Sequence, residues 1–198
     1  MASRYREVYD NWKRDPEGFW AEAAREIDWF KPWNAVFDPQ AGPYGRWFVG
    51  AECNTCHNAV DRHADGARAS QLALVHDSAY SGERRKFTYA ELKAEVVALA
   101  AVLRDRGVEK GDRVIIYMPM VPEAVFAMLA CARIGAIHSV VFGGFAAREL
   151  ATRIDDATPK LILTASCGIE PGRVVAYTPL LDQAIEFSRH KPKGCIIL

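Results

Sequence analysis

The chain has 198 residues, half of them apolar and a quarter charged, with 25 basic side chains balanced by 25 acidic ones. That length holds one sizeable domain or a domain with an extension, and the even charge lacks the basic excess of a nucleic-acid binder. No apolar run reaches the roughly 18–20 residues of a membrane span, the opening MASRYREVYDNWKRD lacks the apolar centre of a secretory signal, and five cysteines, an odd number, point to free thiols in a reducing cytosol.

In chain order, Tyr5, Val8, Tyr9 and Trp12 follow i, i+3, i+4, i+7 and predict a short amphipathic helix. Asp15 caps a second helix with Pro16 at its first position, and Phe19, Trp20, Ala23 and Ile27 face one way. The stretch DWFKPWNAVFDPQAGPYGRWF is too apolar for a linker and reads as an extension wrapped on another surface. Residues 1–69 are therefore expected to form a helical, aromatic-rich extension.

Cys53 to His57 spell C-x-x-C-H, the spacing of c-type haem attachment. That attachment belongs to export compartments. Placed on a helix capped by Asn54, Cys53, Cys56, Val60 and His63 fall within an arc of roughly 80° and predict a buried stripe. Cys56 and His63 would stand ~10 Å apart along the axis, too far to share one zinc ion with Cys53. The expectation is structural packing, with no metal site.

From about residue 70 the pattern is regular. QLALVHD and RKFTY flank SAYSGER as an antiparallel hairpin. Thr88-x-x-Glu91 is a capping box; it opens a helix with Leu92, Val96, Leu99 and Leu103 on one face, and Gly107 stops it. Apolar strands follow at 113–119, 136–142 and 160–165, separated by helices at 122–135 and 146–157. A further helix begins at Thr178-Pro179 with Leu181, Ala184 and Ile185 inward, and the terminal GCIIL reads as the next strand, cut short. Alternating apolar strands and helices predict an α/β fold: a three-layer, open, doubly wound, mostly parallel sheet over residues 70–198.

In such sheets ligands bind beyond the carboxyl ends of the strands. Two loops qualify. VFGGFAAR places Gly143-Gly144 between strand and helix, offering backbone N–H groups to an anion or simply making a tight turn. SCGIEPGR ends a glycine-proline loop on Arg173, suited to a phosphate or to a plain surface charge. There is no G-x-x-x-x-G-K-[ST], no G-x-G-x-x-G and no nucleophile elbow, so no catalytic residue is assigned. His138 reads as a hydrogen-bonded core histidine, His76 and His190 as histidines without partners, and Lys160 and Asp112 as solvated strand-edge charges.

The blocks NWKRDPEGFWAEAA, NTCHNAVDRH, GDRVIIYMPMVPEAVFAMLACARIGAIHSVVFGGFAARELATRIDDATPKLILTA and GIEPGRVVAYTPLLDQAI together resemble the N-terminal region of short-chain acyl-CoA synthetases, in the adenylate-forming superfamily. CGIEPGRVVAY looks most like propionate–CoA ligases, with acetate–CoA ligases close. The resemblance implies a parent enzyme that joins ATP and a short-chain carboxylate into an acyl-adenylate with Mg²⁺ assisting, then passes the acyl group to coenzyme A. The phosphate loop, acyl pocket and catalytic lysine are expected beyond Leu198, so the chain alone is expected to be inactive. Where relatives meet coenzyme A, the positions are Gly144, Glu170, Pro171, Gly172 and Arg173. Acetate-activating relatives carry arginine at the position of Glu170, so Glu170 is expected to be positional and Arg173 to carry more of the phosphate contact. Alternatives are an acetate–CoA ligase fragment and a non-catalytic module binding coenzyme A or a nucleotide. Exposed apolar surface on an incomplete slab is expected to favour self-association.

Overall fold

The computed structural model describes residues 3–198, which divide into two compact units between Asn54 and Thr55. The division falls at Asn54, fifteen positions before the expected boundary at residue 69.

In the first unit, helix α1 spans Tyr5–Arg14 and helix α2 Pro16–Ala23. Asp15 separates them; its carboxylate accepts from the Gly18 N–H at 3.0 Å, and Pro16 occupies the first helical position. The amphipathic stripe of α1 buries nothing within the unit, with Tyr5 and Trp12 exposed. Ile27 lies beyond the end of α2, which stops at Ala23. The aromatic stretch contains a hairpin that periodicity did not signal: strand β1 (Ala35–Asp38) pairs antiparallel with β2 (Arg46–Val49). Trp29, Trp33 and Phe48 meet at centroid distances of 5.4–5.5 Å, and Phe37 packs on Trp47 at 4.7 Å. The Trp29 indole N–H donates to the Ala24 carbonyl at 2.8 Å. These rings form a small core of their own.

The second unit opens on a π-helical turn, His57–Asp61, running into the short helix α3, Arg62–Ala64. This corrects the predicted stripe. Cys53 precedes the turn and is exposed, while Cys56 and Val60 are buried. A π turn carries more residues per revolution than an α-helix, so spacing at 100° per residue does not apply. Burial pushes the Cys56 thiol up, and it pushes Cys131 to about 12; both are poor thiolates. Asp61 instead takes Arg133, with both carboxylate oxygens 2.7 Å from one guanidinium nitrogen.

Strands β3 (Leu72–Asp77) and β4 (Arg84–Thr88) form the expected hairpin, with a bulge between Leu72 and Leu74. Helix α4 (Tyr89–Asp105) begins on a complete capping box. The Thr88 N–H donates to the Glu91 carboxylate at 2.8 Å, and the Glu91 N–H donates to the Thr88 hydroxyl at 3.3 Å. Then follow β5 (Arg113–Met118), α5 (Pro122–Ile134), β6 (Ile137–Phe142), α6 (Ala147–Ala157), β7 (Leu161–Thr164), the hairpin β8 (Cys167–Glu170) and β9 (Arg173–Ala176), α7 (Thr178–Phe187) and β10 (Gly194–Ile197). Helix α5 ends where Gly135, at φ +75°, lets the Ala136 N–H reach back to the Cys131 carbonyl at 2.9 Å.

The main sheet has four parallel strands in the order β10-β7-β5-β6. Central β5 alternates between two cores. Val114 and Ile116 face the core built with α4 and α5; Ile115 and Tyr117 face the core built with α6 and α7, and all four are fully buried. Each such side chain contributes roughly 1.5–3 kcal/mol by leaving water. Strand β6 is different: it is an edge, and Ile137, Val140 and Phe142 are exposed. His138 is exposed with them, so it is not a core histidine. Lys160 and Asp112 are not separate solvated charges but a pair at 2.7 Å, and His190 shares a 2.8 Å hydrogen bond with the Pro159 carbonyl. No helix among the described residues is long and apolar enough to cross a membrane.

The capping box gives a stability test. Thr88→Ala removes the side-chain cap of α4 and should cost about 1 kcal/mol in urea unfolding at neutral pH. Hydrogen bonds from the Thr88 backbone and then its hydroxyl hold the Glu91 carboxyl below its usual range. A depressed carboxyl stabilises above its unfolded pKa and loses that contribution on protonation, so the Glu91 part should fade as pH falls below about 4.3.

Candidate functional site

The winding of the sheet locates the crevice. From β5 the chain moves outward to β6, then crosses back past β5 to β7 and on to β10. The reversal puts the switch point at the carboxyl ends of β5 and β7. There the buried Thr164 hydroxyl donates to the Tyr117 carbonyl at 2.8 Å and ties the two strand ends together.

Gly143 and Gly144 make the turn between β6 and α6. The Phe145 N–H donates to the Phe142 carbonyl at 3.3 Å, and Gly144 sits at φ +88°. Gly143 is buried. A β carbon on it would meet the Met118 carbonyl oxygen at 2.9 Å and the Tyr177 hydroxyl at 2.5 Å. Gly144 has room: its nearest neighbours would be Glu170 Oε1 at 3.7 Å and Tyr177 at 4.0 Å.

The expected second loop is instead an ordered hairpin. Glu170 lies opposite Arg173 in the β8–β9 ladder, and Pro171-Gly172 makes the two-residue turn, with Gly172 at φ +72°. Both turn residues are exposed. Arg173 Nε donates to Glu170 Oε2 at 2.8 Å, and Nη2 lies 2.6 Å from the same oxygen. With Arg173 71% exposed, this pair is worth at most about 1 kcal/mol. Its importance is positional: the carboxylate fixes the guanidinium and offsets its charge. Of the five candidates, the structure gathers Gly144, Glu170 and Arg173 at one notch and leaves Pro171 and Gly172 at its outer tip.

Sequence reasoning missed two tyrosines beneath this notch. Tyr117 is the last inward-facing residue of β5 and Tyr177 precedes α7; their rings are 5.0 Å apart and both are buried. The Tyr117 hydroxyl donates to the Phe145 carbonyl at 3.1 Å. Burial, then the nearby Glu170 and Cys167, pushes the Tyr177 phenol up, so it stays protonated near neutrality. Nothing in periodicity marks Tyr177, though the glycines flanking it in space, Gly143 and Gly168, are visible in the sequence. Among the described residues no three His, Cys, Asp or Glu side chains gather to hold a metal ion.

A doubly wound parallel sheet with glycine turns at its carboxyl edge defines an α/β domain of the kind that binds phosphorylated ligands there. The chain belongs to the AMP-binding enzyme family, whose pattern covers residues 60–197, and residues 5–59 match the acetyl-coenzyme A synthetase N-terminus. A short-chain acyl-CoA synthetase family member 3 from Bos taurus is 51% identical over 92% of this chain. The propionate–CoA ligase of Salmonella typhimurium is 48% identical over 98%. The acetoacetyl-CoA synthetase of Streptomyces lividans superposes with a TM-score of 0.82 at 27% identity, over 94% of this chain and 31% of that one. The chain spans 27% and 31% of the length of the first two relatives.

The two glycines of the turn should respond differently to alanine. Gly144→Ala meets only ordinary van der Waals contacts and should cost just the backbone penalty, about 1–2 kcal/mol. Gly143→Ala meets a carbonyl oxygen as well as the phenol and should cost more. Urea denaturation of the two variants ranks them; equal costs would contradict the packing around Gly143.

Proposed function

We propose that the chain is the N-terminal part of an AMP-forming propionate–CoA ligase, and that its carboxyl-edge notch meets coenzyme A. The observation that carries this is the 48% identity to the Salmonella typhimurium ligase over 98% of the chain, including the sheet edge where the notch lies. In the overall reaction the carboxylate oxygen attacks the α-phosphorus of ATP and pyrophosphate leaves. The coenzyme A thiol then attacks the acyl carbon, AMP leaves, and the thiol proton passes to solvent or base. Mg²⁺ and ATP are assigned to no residue of this chain, and no step of the reaction is placed on it. The five free thiols support a reducing compartment, the cytosol.

What these residues supply is a seat. Gly144 lets backbone approach the carrier closely because it lacks a β carbon and takes a left-handed φ. Arg173 is the cation that meets phosphate. It starts from an ion pair, so an incoming phosphate competes with Glu170 rather than finding a bare charge. This modifies the expectation for Glu170: it acts on the ligand through its hold on Arg173.

Four measurements on the full-length ligase and the isolated chain test this reading. Arg173→Ala should raise the KM for coenzyme A about tenfold, the low end for a lost charge-assisted contact at an exposed site, and leave the carboxylate KM unchanged. Glu170→Gln should lower the KM for coenzyme A by releasing Arg173. The 198-residue chain alone should release no pyrophosphate from ATP, and turnover by it would overturn the assignment. Comparing acetate, propionate and butyrate by kcat/KM in the full-length enzyme decides the acid.

A further inference from the structure

Two glycines, one in a turn and one in a strand, converge on one side chain. A β carbon on Gly168, in β8, would lie 2.2 Å from the Tyr177 hydroxyl oxygen and 2.7 Å from Cζ. A β carbon on Gly143, in the β6–α6 turn, would lie 2.5 Å from the same oxygen and 2.9 Å from Cζ. Both distances are shorter than carbon atoms tolerate, so the phenol occupies the space that side chains at these positions would fill. The Tyr177 ring is 97% buried by its 3% exposure and is held from below by Tyr117. Its backbone is fixed too, since the Tyr177 N–H donates to the Ser166 carbonyl at 3.0 Å and its carbonyl accepts from Leu181 at 2.9 Å. Its hydroxyl makes no hydrogen bond to any described residue and is not among the fully buried polar atoms, so it keeps an edge to solvent while packing sets the place of the ring.

The geometry points to Tyr177 as the positioning residue of the coenzyme A edge: a rigid wedge between Gly143 and Gly168 that sets the spacing of the glycine turn and the Glu170–Arg173 hairpin. This rests on the reading that the edge meets coenzyme A and extends it to a residue that need not touch the ligand. An aromatic ring has two side-chain torsions and is packed here against Tyr117 and, at its hydroxyl end, the two glycines, so it transmits the position of the turn to the hairpin with little slack. The small residues it requires explain why one glycine at a left-handed φ, Gly144, is accompanied by two, Gly143 and Gly168, that are not among the positive-φ positions.

The test uses the full-length ligase with Gly168→Ala, Tyr177→Leu, the two combined, and Tyr177→Phe. Coenzyme A affinity is read by titration calorimetry and as KM, carboxylate-dependent ATP–pyrophosphate exchange reports the step without coenzyme A, and a melting curve reports folding. Each of the first two single variants should weaken coenzyme A about tenfold, because misplacement of about an ångström has effects of that size or larger. Exchange should stay within about twofold, since coenzyme A is not a reactant in that half-reaction. In the combined variant the methyl group replaces part of the lost ring, so its defect should fall well below the product of the single defects. Tyr177→Phe keeps the ring and should bind coenzyme A like the parent.

Unchanged coenzyme A affinity in both single variants overturns the proposal, as do multiplicative effects or an equal loss of exchange. A large defect in Tyr177→Phe also overturns it, by assigning the role to the hydroxyl. If Gly168→Ala folds only when paired with Tyr177→Leu, the wedge is supported; if neither folds, Tyr177→Leu alone decides by the same affinity and exchange readings. If Arg173→Ala shifts coenzyme A while these variants do not, the wedge fails alone; if no hairpin change moves coenzyme A, the reading of the edge fails with it.

Discussion

The second unit depends on the burial of β5 on both of its faces. Four consecutive side chains, Val114 to Tyr117, lose all contact with water and divide alternately between two cores. Neither core can form without the other, because one strand supplies a wall to each. The parallel ladders to β6 and β7 are then the way the backbone of a doubly buried strand satisfies its N–H and C=O groups. Helices on both faces follow from the same requirement, and so does the crevice at the switch point.

The notch is a product of that frame. Tyr117 is the last inward residue of β5, and its ring supports Tyr177, which in turn lies against Gly143 and Gly168. Packing therefore runs without interruption from the centre of the sheet to the turn that carries Gly144. Electrostatics enters only at the rim, where Glu170 and Arg173 neutralise each other in an exposed pair. Shape, more than charge, organises this edge.

Much of the second unit was legible because its signals are local. The Thr88–Glu91 box, the prolines at the starts of α5 and α7, and the apolar runs of β5 and β7 each state their element in a few residues. Three things were not. An apolar run has the same composition whether its strand is central or at an edge, so the sequence does not reveal that His138 is exposed on β6. The β1–β2 hairpin is hidden in an aromatic stretch and requires Phe48 at φ +50°, a conformation its residue type does not advertise. The Pro171-Gly172 pair reads as loop in the sequence although it is a regular two-residue turn, because β8 and β9 are only four residues each. Of the site, the glycines and Arg173 were visible as types; the partnership of Arg173 with Glu170 and the role of Tyr177 exist only once the chain has folded.

The π turn at His57–Asp61 has a consequence for how this chain tolerates changes in length. Deleting one residue between Cys56 and Arg62 would let the segment close into an ordinary helix and swing Asp61 roughly 100° around the axis. Its carboxylate would leave Arg133, a guanidinium that is itself mostly covered. A shorter segment is thus locally more regular and globally worse, so an alignment gap placed here by helical periodicity would discard the residue that the electrostatics retains.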